Sequence, residues 1–156
     1  MAIFMKIDSI KGSSTDANFK DQIELNSFQW GAGVGVSSAR GGDRTTSEPS
    51  VSEITTTKST DKSSELLFKA LLKGDPVGKA TISFVAASKG EAVAYATLEL
   101  EDVIVSGFSM SSGGDWPSES ISLNFTKFDW SFTGRDKEQA GSPTHLIYSL
   151  IENKVG

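Results

Sequence analysis

The chain has no cysteine. It therefore forms no disulfide, offers no thiolate to a metal and carries no thiol nucleophile, and its stability does not depend on whether the compartment is reducing or oxidising. Histidine is almost as scarce, with His145 the single one. Any Ser-His-Asp arrangement must use it, yet it stands in Thr144-His145-Leu146, with no G-x-S-x-G signature nearby. One histidine without cysteine leaves zinc only an unusual carboxylate set. Basic clusters are missing too: 15 lysines and arginines face 20 aspartates and glutamates, for a net charge of −5. The densest basic stretches, Asp61-Lys62 and Arg135-Asp136-Lys137-Glu138, alternate with acids. That is not the basic stripe of a nucleic-acid binder. Long hydrophobic runs are lacking as well. The opening Met1-Ala2-Ile3-Phe4-Met5-Lys6-Ile7-Asp8 meets charge too early for the roughly 7–15-residue apolar segment of a secretory signal. No run reaches the length of a membrane span. If the protein leaves the cell, other machinery exports it.

What is present describes a folded β domain. The 156 residues fit one domain, 1–156, and the composition (37% hydrophobic, 22% charged) provides for a core without staples. Ile3, Met5 and Ile7 alternate with Phe4, Lys6 and Asp8, the period of a strand, and a turn follows at Lys11-Gly12-Ser13-Ser14. Ile23 and Leu25 share one face, but Phe28 and Trp30 have the other parity; a β-bulge between them restores a common side. Ile121, Leu123 and Phe125 switch parity in the same way before Phe128, Trp130 and Phe132. Two bent strands with matching breaks predict a curved sheet or small barrel. Thr81–Ala87 and Ala92–Val105, joined by Ser88-Lys89-Gly90-Glu91, read as a hairpin. One helix is predicted on the outside of the sheets. Asp61 is its N-cap, Leu66, Leu67, Ala70 and Leu71 form its apolar face, Gly74 follows its C-terminus and Pro76 stops it.

Two segments read as loops, Gly35–Pro49 and Gly107–Ser120. The first is rich in Ser, Gly, Arg and Thr and has almost no apolar side chain. Ordering a residue costs roughly 1–2 kcal/mol of backbone entropy, which this segment cannot offset within its own subunit. It is expected to be mobile in the monomer or ordered by a partner. Chemical motifs are weak. Ser59-Thr60-Asp61-Lys62 matches S-x-x-K without its K-T-G or S-D-N companions, so it reads as helix capping. Gly31-Ala32-Gly33-Val34-Gly35 leads into a polar loop, not the helix a phosphate loop needs, so it reads as a strand end whose glycines let another backbone approach closely. Glu99 and Glu101 share a strand face, as either an acid–base pair or a solvated face. No constellation anchors an enzyme, and no cofactor or metal is implied. The frame of alternating strands suits a binding or assembly module.

The order and spacing of several segments resemble those of the haemolysin-coregulated protein (Hcp) family, the tube subunit of bacterial type VI secretion systems. They are Met5-Lys6-Ile7 with Ile10-Lys11-Gly12-Ser13-Ser14, then Phe28-Gln29-Trp30-Gly31, Glu53-Ile54 with Lys58 and Asp61-Lys62-Ser63-Ser64, Leu100–Ser106, Glu119–Phe125, and the ending with Tyr148 and Asn153. Thr56 departs from the family by standing at a more apolar position, and Phe132 by standing where Tyr is frequent. The resemblance implies a small β-barrel of two curved antiparallel sheets with one flanking helix, like phage tail tubes. It implies six-membered rings that stack into a hollow tube, partnered by sheath and spike proteins. It also implies export from the cytoplasm without a cleaved signal, with effectors carried in the lumen. On this view Ser38, Arg40, Arg44 and Glu48 of the polar arm contact the next subunit, and Gln29, pointing away from Phe28 and Trp30, faces the lumen. The alternatives are a phage-type tail tube subunit and a β-domain adaptor that makes no tube.

Overall fold

The computed structural model describes residues 1–37, 46–134 and 144–156. The period-2 segments become strands: β1 (Ala2–Ile7), β2 (Ile23–Leu25), β3 (Ser27–Gln29), β4 (Ala32–Gly33), β5 (Ser50–Val51) and β6 (Ile54–Ser59). Helix α1 (Ser64–Lys73) follows, and then β7 (Gly78–Ser88), β8 (Glu91–Ser111), β9 (Ser118–Asn124), β10 (Lys127–Phe132), β11 (Thr144–Ser149) and β12 (Lys154–Val155). A wide antiparallel sheet runs β12-β11-β10-β8-β7-β1-β2, and a narrow one runs β8-β9-β6-β3. Strand β8 belongs to both. Up to Glu101 it pairs with β10, and from Ile104 it pairs with β9. It bends at Asp102, whose φ of +52° is tolerated by a short polar side chain. The Asp102 carboxylate accepts a hydrogen bond from Thr126 Oγ1 at 2.9 Å, bracing the bend.

The parity breaks mark where the chain changes sheet. At Asn26 it passes from β2 in the wide sheet to β3 in the narrow one, and the Asn26 N–H donates to the Thr57 carbonyl at 2.7 Å. At Phe125-Thr126 it leaves β9 for β10. Both breaks are thus corners between two strands, and the bulge expected between Leu25 and Phe28 is a change of sheet at Asn26. The two curved sheets and flanking helix match the expectation. The hydrogen-bonded circuit is not a closed barrel, because β2 and β3 follow one another instead of pairing. Between the sheets lies a core that includes Met5, Ile23, Ile54, Leu98, Leu100, Ile121 and Leu123. Phe4 lies on the opposite face of β1, where alternation puts it, but it is buried there because Phe19 stacks on it at 4.7 Å.

The β7–β8 hairpin turns through Lys89 and Gly90, both with positive φ, the backbone a two-residue turn requires to match strand twist. Helix α1 packs Leu67, Ala70 and Leu71 on the core and ends where Gly74 (φ +70°) donates to the Ala70 and Leu71 carbonyls. Its N-cap is Ser63, not Asp61. Asp61 instead accepts from the Ser63 N–H at 2.8 Å and is drawn inward by Lys58. Leu66, expected on the packed face, is 42% exposed at its rim. Gly12 sits against backbone: a Cβ there would lie 2.4 Å from the Gln22 carbonyl oxygen and 2.6 Å from Ile23 Cα. Gly12→Ala must displace β2, and a loss of about 1–3 kcal/mol is expected in urea unfolding, the usual cost of overpacking.

Candidate functional site

The narrow sheet shows two chemically opposite faces. On the outer face, paired rows read Ser27–Thr57–Ser120–Ser109 and Gln29–Thr55–Ser122–Gly107. Every side chain in them is a hydroxyl or an amide, and Ser27 and Thr57 share a hydrogen bond at 2.6 Å. Gln29 is exposed on this face, while Phe28 and Trp30 pack on the core. The geometry offers a hydrated, uncharged surface.

On the inner face, Lys58 and Glu119 stand opposite each other in the β6–β9 ladder and are fully buried. Lys58 Nζ donates to Glu119 Oε1 at 2.9 Å, and to Asp61 Oδ1, Ser64 Oγ and the Ser59 carbonyl, each at 3.0 Å. Glu119 also accepts from Thr60 Oγ1 at 2.7 Å and Ser64 Oγ at 3.0 Å. Burying two charges is tolerable only when each is paired and hydrogen-bonded in this way. Sequence reasoning did not single out this pair. The available signal was parity: Lys58 follows Ile54 and Thr56 on the buried side, and Glu119 precedes Ile121 and Leu123 on theirs.

The polar arm is anchored by a two-stranded ribbon, which the loop expectation missed. Ala32 and Gly33 pair with Val51 and Ser50, Val36 bridges Thr46, and Gly35 and Ser47 exchange hydrogen bonds through backbone and hydroxyl. Backbone pairing orders this stem, with Val51 packed on the core at its base. Of the expected contact residues, Ser38, Arg40 and Arg44 lie outside the described residues. Glu48 is exposed and accepts from Asn153 Nδ2 at 2.8 Å; Asn153 in turn accepts from the Tyr148 hydroxyl.

Beside the ribbon opens an apolar groove of about 650 Å³, walled by Phe28, Trp30, Val51, Tyr95, Trp130, Phe132 and Leu146 among others. Its floor is the core face of the wide sheet, where Trp130 pairs with Leu98 and Leu146. The narrow sheet stops short of this end, leaving Trp130 48%, Phe132 51% and Leu146 43% exposed. Trp30 Nε1 is buried at the groove without a hydrogen-bond partner. His145 lies on β11, half exposed, with Nδ1 2.9 Å from Asp129 Oδ1 across the ladder. Glu99 is held by Lys79 at 3.4 Å, as a solvated strand face provides. Among the described residues no group of three or more metal-ligating side chains gathers, and no helix is long and apolar enough to cross a membrane.

Residues 4–132 match the family model described as "Type VI secretion system effector, Hcp". The chain belongs to the Hcp family. Protein hcp1 of Pseudomonas aeruginosa is 28% identical over 155 residues, covering 97% of this chain and 96% of the relative. A solved type six secretion system protein superposes with a TM-score of 0.90 at 28% identity, covering 99% of both chains. Hcp1 from Salmonella typhimurium gives 0.81 at 26% identity, covering 99% of this chain and 98% of the other. These Hcp likenesses extend past residue 132, so β11 and β12, with the groove wall at Leu146, are part of the shared fold.

Proposed function

We propose that this Hcp chain is the structural subunit of the type VI secretion tube. Copies close head to tail into rings of six, the rings stack into a hollow tube, and the tube is exported with effectors held in its lumen. The observation that carries this function is the uncovered end of the wide sheet's core face. A groove floored by Leu98, Trp130 and Leu146 is interior surface for which one protomer has no cover. Large exposed apolar patches on soluble proteins mark interaction sites. The narrow sheet adds support: β3 pairs only with β6, and the second half of β8 only with β9, among the described residues. Two different free edges are what a head-to-tail contact joins, and joining them removes the edges that would otherwise invite aggregation. On this reading the hydroxyl face bearing Gln29 lines the lumen, and Ser38, Arg40, Arg44 and Glu48 contact the next subunit. Sheath and spike proteins meet the assembled tube, not the lone chain.

Light scattering and negative-stain electron microscopy of the purified protein test this. The expected result is a mass of six chains and ring-shaped particles. A single-chain mass at high concentration overturns it. Deleting residues 38–47 is expected to abolish stacked tubes, and unchanged tubes would remove the arm from the contact. A ring structure with Gln29 on the outer wall would remove it from the lumen.

A further inference from the structure

The Lys58–Glu119 pair stands in a ladder whose outer side chains carry little register information. The outer face of β6 and β9 is Thr55, Thr57 and Ser59 against Ser122, Ser120 and Ser118. A slip of one residue would turn each strand inside out and is excluded by burial. A slip of two keeps every side chain on its own face. Outside, hydroxyl still meets hydroxyl, save that one slip brings Thr55 to Asn124 and the other Ser122 to Glu53 at the exposed end of the ladder. Inside, Ile54 and Thr56 exchange one apolar neighbour for another, except that one slip sets Lys58 against Ile121 and the other sets Thr56 against Glu119. Exposed contacts at the ends of the ladder, Asn124 Nδ2 to Glu53 Oε1 at 3.4 Å and Trp116 Nε1 to the Thr60 carbonyl at 2.8 Å, also belong to the native alignment. Within the buried face only the charges distinguish the three. Both side chains are fully buried, so a slip strands each of them without its partner.

We propose that the buried Lys58–Glu119 pair fixes the register of β6 against β9. Its contribution is choice of alignment, not net stability, since a buried pair replaced whole by neutral side chains of similar volume is often neutral for stability. Asp61 and Ser64, which also hold Lys58, carry the same alignment to the start of α1. β3 is paired to β6, and the arm stem runs directly into β6. A two-residue slip would move them by about 7 Å relative to β8. Resting on the tube function, this makes the pair a positioning device for assembly as well, because a protomer whose two edges are displaced by that distance does not close a ring.

The absence of native cysteine makes the test direct. Thr57→Cys is combined with Ser120→Cys to report the native alignment, and with Ser118→Cys or Ser122→Cys to report the two slips. Facing residues lie within disulfide reach, whereas diagonal ones, roughly 7–8 Å apart, do not. In the otherwise native chain only the Thr57–Ser120 combination is expected to oxidise. In Lys58→Met/Glu119→Gln, which removes both charges and keeps the volume, the slipped crosslinks are expected to rise from trace to roughly a tenth or more of the folded protein, the share of a state about tenfold less populated. If that variant does not accumulate as folded protein, Glu119→Gln alone, which keeps the Lys58–Asp61 contact, is read in the same way with the same expectation. Exclusive native crosslinking in the variant that folds overturns the proposal. The crosslinks are read on the protomer, and light scattering on the same samples reads assembly. A chain that slips but never forms rings in any version fails the tube function and leaves the register assignment standing.

Discussion

Glu119→Ala is expected to lower the unfolding free energy by about 3–5 kcal/mol, the cost of leaving a buried charge without its partner. For a chain of this length that corresponds to a fall in melting temperature on the order of 10 °C. The cause is not the loss of one contact. Lys58 has no exposed surface, so its ammonium cannot recover hydration when the carboxylate is removed. Asp61 and two oxygens of Ser59 and Ser64 remain to it, at the N-terminal end of α1, and the Thr60 and Ser64 hydroxyls lose their acceptor together. Lys58→Met/Glu119→Gln is expected to cost much less than Glu119→Ala alone, and a double-mutant cycle in urea measures the difference. On the other face of the same strands, Thr57→Ala and Ser120→Ala, at half-buried positions, are expected to stay within about 1 kcal/mol, since neither leaves a buried charge unpaired. Equal losses from both faces would show that the pair is not special.

Trp130→Ser/Phe132→Ser is expected to convert the assembled protein to single chains. Each ring is about half exposed in the protomer, so covering it removes roughly 100 Å² of apolar surface from water, worth about 2–3 kcal/mol. Two rings together amount to about 5 kcal/mol per contact, or more than a thousandfold in its association constant. Repeated around a closed ring, that loss leaves no stable assembly at micromolar concentration. The protomer should survive: Trp30 loses its edge contact with Trp130 at 6.3 Å, but it keeps Phe128 packed edge-on at 4.7 Å and the core below is unchanged. The readouts are mass by light scattering and far-ultraviolet circular dichroism. A folded variant that keeps the native mass would show that the groove is not covered by a neighbour.

The legibility of this fold followed how local each signal is. The β7–β8 hairpin, with Lys89-Gly90 at its turn, and α1 ending at Gly74 were readable because period, turn chemistry and stop lie within a few residues of one another. The helix start was misplaced by two residues because Asp61 has the chemistry of a cap but spends its carboxylate on Lys58. At Gly31 to Gly35 the expected strand end with a close backbone neighbour is present, but the partner was not legible, because the order comes from backbone pairing with residues 46–52 and not from a side-chain pattern. Gln29 was placed on the exposed face by parity alone.

By itself the sequence determined the class of protein. Alternation set the strands, the missing cysteine and single histidine removed whole kinds of chemistry, and the spacing of short segments pointed to Hcp. Tertiary structure alone decided what the two parity breaks mean, since a bulge and a change of sheet look identical until the pairing partner is known. It also decided that Lys58 and Glu119, 61 residues apart, meet inside the protein, and that Trp130 and Phe132 lie beyond the edge of the sheet that should cover them. Periodicity is a property of neighbours along the chain, whereas burial and charge pairing depend on which distant strand lies alongside.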